Sequence, residues 1–482
     1  MRRGAAATQR NMNDDSEYVD RAWLHPRVMW RWLHARQKNI DECLFAEIKL
    51  RLDRFQVHVK ELPQYRFVDL FRAAEHHCRV RGITATFESD HRLESLSAIL
   101  HSRPSRWAPR QIRRSERIAW PVGPSEEVFL PVDIFWACAA GSAASGKSVL
   151  VRVHYEAIGE KAVLEAACPD PAVAESLVRE IVRSSAEVSV YRNSVLALRF
   201  EPATRDELGD VEKPETLRVL FAPEPEVGDD EVVMDEATRR LLWRNVIDLH
   251  LRRDVLKAHG VPIRRGVLLY GPPGTGKTFT CRYLCANLPN TTRIMVAGSA
   301  LQQVAAVFAL ARLLQPALVI LEDVDLVFAV RDINTQASIL GELLDQMDGL
   351  RPHEDIGFVL TTNTIDRIEA AIKDRPGRIS QCIHLGPPER ELRERYLRHF
   401  LAPYTTGAVD VDVEALVARS AGASQAFLKD WVHRAVQIAT ERIVEGTENL
   451  ELRTEDFDVA LREARSSREG TKIIGFLEPP RT

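Results

Sequence analysis

The stretch "RRGVLLYGPPGTGKTFTCRYLCANL" constrains this chain more than any other. "RRGVLLY" (264–270) is a short apolar run suited to a strand buried on both faces of a parallel sheet. "GPPGTGKT" (271–278) satisfies the pattern G-x-x-x-x-G-K-[ST], and "FTCRYLCANL" (279–288) carries apolar residues at helical spacing. A strand that turns through glycines directly into a helix aims backbone N–H groups and the helix N-terminus at one point, a cradle for phosphate. Gly271, Gly274 and Gly276 permit the tight turn, and Pro272, Pro273 and Thr275 complete the loop. Lys277 is placed to reach the β- and γ-phosphates of a nucleotide, and Thr278 to set its hydroxyl on Mg²⁺.

The same pattern recurs as "GSAASGKS" at 141–148, and its surroundings argue the other way. After Ser148 comes "VLVRVHYEAI", which alternates with period two and is rich in β-branched residues. A strand here, following the strand-like "VFLPVDIFWACAA" (128–140), makes "GSAASGK" a hairpin loop with no helix behind it. Lys147 is therefore expected to bind no nucleotide.

A phosphate loop predicts binding, and hydrolysis needs partners. "PALVILEDVDLVF" (316–328) is an apolar run ending in acids, so Glu322 and Asp323 fall at the C-terminal end of a buried strand, beside the phosphates. One carboxylate can hold Mg²⁺ and one can polarise water. "GFVLTTN" (357–363) is a further apolar strand whose tip, Asn363, can orient the attacking water or the γ-phosphate. "DRPGRIS" (374–380) follows, where Arg378 beside a Pro-Gly turn reads as a loop charge or as an arginine offered to a neighbouring subunit.

These motifs, from about 245 to 466, resemble the AAA family of ATPases: "GPPGTGKT", the strand "LVILED", the sensor "TTN", "RPGR", and "LGPPERELRERYLRHFL" leading into a helical lid. The resemblance implies a P-loop parallel sheet of order 5-1-4-3-2, with ATP phosphates at Gly271–Thr278. It implies Mg²⁺ at Thr278 and Glu322, water activation at Asp323, a sensor at Asn363 and an arginine finger at Arg378. It also implies a ring, most simply a hexamer of this chain, remodelling or translocating a macromolecule, with a protein as the expected substrate. Four departures accompany it. The Glu322–Asp323 order reverses the usual Asp-Glu, as in the subgroup containing the mitochondrial translocase of the Rieske iron–sulfur protein. Gln381 stands where many members have a second arginine. The connection after "IMVAG" lacks the aromatic–hydrophobic–glycine tripeptide of threading members, and Gln425 replaces a glycine at the start of a lid helix in "AGASQAFLKDWV". Two rival classes are a nucleotide-dependent scaffold with negligible hydrolysis and a small-molecule kinase; the "TTN…RPGR" pair and the lid argue against the kinase.

The expected organisation is a mostly helical region (1–118), a small α+β domain (119–200), an acidic linker (201–234), the α/β nucleotide-binding domain (235–388) and a helical lid (389–482). "LRVLFA" inside the linker is a run that can still join a sheet. Net charge is −4, so no global field points to nucleic acid or membrane, although residues 1–120 hold 23 Lys/Arg against 15 Asp/Glu. Six of those arginines surround Trp107 in "HSRPSRWAPRQIRRSER" (101–117), a solvated linker or a contact for nucleic acid or an acidic partner, with no fold motif to support the latter. Trp23, Trp30 and Trp32 read as core more than as a docking surface. Seven scattered cysteines without a C-x-x-C pair suggest neither disulfides nor zinc, and Cys281 and Cys285, four apart, read as one packed helix face. No apolar run is long enough to span a membrane, and the expected location is cytoplasmic.

Overall fold

The computed structural model describes residues 54–466 apart from 84, 89–93, 102–114, 139–146, 206–210, 264, 328–332, 352, 366–378, 405–408 and 444–449. Arg378, Trp23, Trp30, Trp32 and most of the arginine-rich run lie outside the described residues. The chain divides into two compact units, one of Met1–Ala119 with Phe129–Ser185, the other of Trp120–Val128 with Ala186–Thr482.

In the first unit, strands β1 (Gln56–Pro63), β2 (Ala85–Glu88), β3 (Asp133–Cys138), β4 (Val149–Glu156) and β5 (Lys161–Cys168) form an antiparallel sheet of order β1-β5-β4-β3-β2. Helix α1 (Phe67–Val80) packs on β4 and β5 with Phe67, Leu70, Phe71, Ala74 and Cys78, an apolar stripe at spacings of three and four. A short helix α2 (Leu96–His101) joins Phe55, Phe135, Leu150 and Ala167 in one apolar cluster. Helix α3 (Pro171–Glu187) follows β5.

β3 and β4 pair from Asp133↔His154 to Cys138↔Val149, so the run 139–148 joins two antiparallel strands with no helix behind it. Lys147 forms an ion pair with Asp170 on the surface of this unit. At the sheet centre Arg152 is wholly buried between Asp133 (2.8 and 3.0 Å) and Glu165 (3.0 Å). A buried guanidinium is tolerable only because both its faces of charge are matched in this way.

Two sequence expectations need correction here. The run through "RFQVHVKEL" reads as helical, yet Gln56–Pro63 is a strand, and β2 is another within the region expected to be mostly helical. β1 is largely exposed, so apolar periodicity could not mark it; its register against β5 (Gln56↔Cys168 to Pro63↔Lys161) is what holds it. Nor do 1–118 and 119–200 fold apart. β1 and β2 flank β3–β5 in one sheet.

In the second unit β6 (Val195–Glu201), β7 (Thr216–Phe221), β8 (Gly266–Tyr270), β9 (Thr292–Val296), β10 (Ala317–Leu321), β11 (Ile356–Thr362) and β12 (Ile379–His384) make a seven-stranded sheet ordered β7-β6-β9-β10-β11-β8-β12. Numbered from β8, its last five strands run 2-3-4-1-5, all parallel, the expected order. The other two correct the expected boundaries: β6 pairs parallel with β9, and β7, inside the acidic linker, pairs antiparallel with β6. Arg293 on β9 explains the attachment. It is 1% exposed and donates to the Asn193 carbonyl (2.6 Å), the Cys285 carbonyl (3.3 Å) and Glu224 (2.7 Å).

Helices α4 (Glu236–Leu242), α5 (Lys277–Ala286) and α6 (Val304–Leu313) belong to this sheet domain. Asp235 caps α4 by accepting from the Thr238 N–H at 2.8 Å. Cys281 and Cys285 on α5 are both fully buried in the apolar cluster beneath the sheet. α7 (Arg390–Leu401), α8 (Val413–Arg419), α9 (Gln425–Thr440) and α10 (Thr454–Ser466) form the lid around Trp431, Leu428 and Phe457. Between lid and sheet runs an extended strap. Val232 and Met234 enter the sheet cluster while Val233, between them, enters the lid cluster. No helix among the described residues is long and apolar enough to cross a membrane.

Candidate active site

β8 is the apolar strand "GVLLY", hydrogen-bonded to β11 on one side and β12 on the other. The chain leaves it at the edge of the sheet where β10 and β11 also end. There the loop runs hard against β12: a Cβ at Gly271 would lie 2.0 Å from the Leu385 carbonyl oxygen, so only glycine fits. Gly276 ends the loop at φ 86°, the left-handed geometry that lets α5 start at Lys277. The first N–H groups of α5 have no carbonyl one turn back to bond, and they open onto a cavity of about 850 Å³.

Residues Pro273 to Thr278 line that cavity, together with Asp323 and Asn363. Gly271 and Pro272 act from behind: their carbonyls accept hydrogen bonds from Lys277 Nζ at 2.7 and 2.9 Å. The third partner of Nζ is Asn363 Oδ1, at 2.8 Å. Burial lowers the Lys277 pKa, against the pull of Asp323 and Asp325, which raise it.

Glu322 and Asp323 follow the five buried residues of β10. Burial raises the Glu322 pKa, partly offset by a hydrogen bond with the Thr278 side chain. Its Oε1 is buried with no hydrogen-bond partner among the described residues. A hydroxyl and a carboxylate side by side, with one carboxylate oxygen unpartnered, are hard oxygen donors suited to a small divalent cation that keeps most of its own waters. Asp323 takes the left-handed backbone (φ 49°), fixed by its N–H donating to Thr361 Oγ1 at 2.8 Å. That turn sends the two neighbouring carboxylates to different places, Glu322 behind Thr278 and Asp323 into the cavity wall.

Three groups of residues in or beside the cavity are not marked as site residues by the sequence. Asp325 accepts from the Asn363 backbone N–H (3.2 Å) and side-chain Nδ2 (3.3 Å). The only sequence signal for it is a third acid two residues after Asp323. On α9, Gln425, Lys429 and His433 line the cavity in one stripe, four residues apart. Gln425 Oε1 lies 2.3 Å from where a Gly276 Cβ would be, and the Ala426 N–H donates to the Gly274 carbonyl at 3.1 Å, so the lid helix is docked onto the loop. The strap residues Val232, Val233 and Met234 with Tyr396, Phe400 and Tyr404 also line the cavity and supply its apolar surface. Tyr396 donates to the Val233 carbonyl. Burial pushes the Tyr396 phenol up.

A glycine loop between a central parallel strand and a helix, with acids and an amide at the tips of the neighbouring strands, defines a P-loop nucleotide-binding domain. Residues 267–387 match the family described as "ATPase family associated with various cellular activities (AAA)", and the chain carries an AAA ATPase domain. It is 32% identical over 277 residues to the 26S proteasome regulatory subunit 6B homolog of Aspergillus niger, covering 53% of this chain and 62% of that protein. It is 29% identical over 313 residues to the Cell division cycle protein 48 homolog of Archaeoglobus fulgidus, covering 59% and 40%. With ATP-dependent zinc metalloprotease FtsH 4 of Sphaerobacter thermophilus the identity is 32% over 263 residues, covering 51% and 38%. The chain thus spans less than two thirds of the length of these relatives.

Proposed function

We propose that this chain hydrolyses ATP at the 271–278 loop and couples the reaction to conformational work on a macromolecule, with a protein as the expected substrate. The observation that carries the reading is the convergence of Lys277 and Thr278, from the start of α5, with Asp323 and Asn363 at the tips of adjacent strands, and a half-unpartnered Glu322 behind them. Loop N–H groups and Lys277 bind the β- and γ-phosphates. Lys277 can do so by exchanging the Gly271, Pro272 and Asn363 oxygens for phosphate oxygens. Thr278 and Glu322 would hold Mg²⁺, which when bound neutralises charge on the phosphate oxygens. Asp323 accepts a proton from the attacking water, and Asn363 orients that water against the γ-phosphate. The strap and Tyr396, Phe400 and Tyr404 receive the base.

Arg378 is proposed to complete the site of a neighbouring copy, which makes the active form a ring, most simply a hexamer. The connection from β9 to α6 is short, residues 297–303, and is taken up by a 3-10 turn over Gly298–Gln302. This supports a mechanism in which lid motion, more than a threading loop, moves the substrate. Among the described residues the thiols of Cys168, Cys281 and Cys285 are not in disulfides, which suits the proposed cytoplasmic location.

The test is the steady-state ATPase rate per subunit against protein concentration, for wild type, Arg378→Ala, Asp323→Asn and Lys147→Ala. A rate that rises with concentration, collapses in the first two variants and is unchanged in Lys147→Ala supports the reading. ATP binding without hydrolysis, indifferent to Asp323→Asn, would make the chain a nucleotide-dependent scaffold instead. A rate independent of both concentration and Arg378 would exclude the ring.

A further inference from the structure

We infer that Asp325 is a positioning residue for this site, acting through Asn363. An asparagine amide can present either its oxygen or its NH₂ to a given neighbour, and the two orientations have opposite electrostatic effects. Here Asp325 decides between them. One of its oxygens takes the Asn363 backbone N–H at 3.2 Å and the other takes Nδ2 at 3.3 Å. With the NH₂ held by a carboxylate, Oδ1 must face the opposite way, where it accepts from Lys277 Nζ at 2.8 Å. The reverse orientation would set an NH₂ against an ammonium and an amide oxygen against two carboxylates.

Asp323 is the competing acceptor. Its Oδ1 is 3.5 Å from the same Nδ2, through one contact where Asp325 has two. Asp325 thereby keeps the amide from saturating the carboxylate that the proposed reaction needs as its proton acceptor. Without Asp325, Asn363 swings onto Asp323, which occupies the carboxylate oxygen facing the amide and displaces the sensor amide together. Lys277, by contrast, keeps its two loop carbonyls and its access to phosphate. The inference rests on the proposed hydrolysis, and it predicts a defect in turnover with little change in nucleotide affinity.

The experiment measures kcat, KM and ADP affinity for wild type, Asp325→Ala, Asn363→Ala and the double variant, with thermal unfolding as the folding control. Asp325→Ala should lower kcat about 10- to 100-fold, the scale of a small misplacement of reacting groups, while the ADP Kd changes less than about threefold. The double variant should be no slower than Asn363→Ala alone, because the two residues act as one unit. A purely structural role would lower Tm and ADP affinity together and give additive losses, overturning the inference. Wild-type kcat in folded Asp325→Ala would also overturn it. Wild-type protein that binds ADP but turns over no ATP would instead refute the proposed hydrolysis.

Discussion

Gly271 and Gly276 stand six and one residues before Lys277, yet replacing them with alanine should have different consequences. At Gly271 the new methyl would sit 2.0 Å from the Leu385 carbonyl oxygen and 2.8 Å from its carbon. Both are backbone atoms, and Leu385 N–H itself donates to the Tyr270 carbonyl at 2.8 Å, so neither side can yield alone. Restoring an ordinary contact of about 3.2 Å requires the loop to move about 1 Å off β12, and a shift of that size at a reacting group is worth about 10²-fold in rate. At Gly276 the methyl would meet Gln425 Oε1 at 2.3 Å, the far end of a flexible side chain that can swing into the cavity. What remains is the left-handed backbone at φ 86°, about 1–2 kcal/mol for alanine. Isothermal titration with ADP and thermal unfolding separate the two. Gly271→Ala should weaken ADP binding, and lower the ATPase rate by about 100-fold, whatever stands at 425. Gly276→Ala should lose about 10-fold, and Gln425→Ala should recover part of that loss. ADP binding by Gly271→Ala at wild-type strength would refute the steric reasoning, and so would a Gly276→Ala defect indifferent to Gln425.

Two further outcomes are expected. His250 is fully buried with neither ring nitrogen hydrogen-bonded among the described residues, and burial lowers its pKa to about 4. The unfolded chain therefore binds the extra proton between about pH 6.5 and 4, so stability present above pH 6.5 is lost as pH falls, by at most about 3.5 kcal/mol; His250→Leu should flatten that acid slope in urea unfolding, and an unchanged slope would refute the assignment. Glu322→Gln keeps the side-chain volume beside Thr278 but removes the charge, so it should raise the Mg²⁺ concentration needed for half-maximal ATPase about tenfold; an unaltered Mg²⁺ requirement would remove Glu322 from the cation site.

Legibility in the sequence followed the strength of local patterning. The loop 271–278 could be placed because strand, glycines and helix are contiguous, and the 139–148 run could be set aside because β4 alternates visibly. The sheet order came from resemblance alone. β1 was missed because an exposed edge strand has no apolar period to read. β7 is legible as the apolar run "LRVLFA", which can join a sheet and does; that β6 and β7 belong to this sheet is not legible, because their attachment involves Arg293, some 70 to 100 residues away in the chain. Nothing in the sequence marks Asp325, because its part in the site is a hydrogen bond to Asn363, invisible until β10 and β11 are set side by side. The cavity-facing stripe of α9 had a helical spacing of four, but nothing local says which face of a lid helix meets the loop.

The strap at 232–234 has a consequence for how such a domain responds to what it binds. Its side chains alternate between two apolar clusters, Val232 and Met234 on one side and Val233 on the other, and the same three residues wall the cavity. Arg395 and Tyr396 of α7 grip it by the Met234 and Val233 carbonyls. A rotation of the lid must therefore either drag this segment or pull Val233 out of its socket. The strap works as a zip whose teeth engage two bodies at once, so the surface proposed to receive the nucleobase also reports the angle between the halves that enclose it.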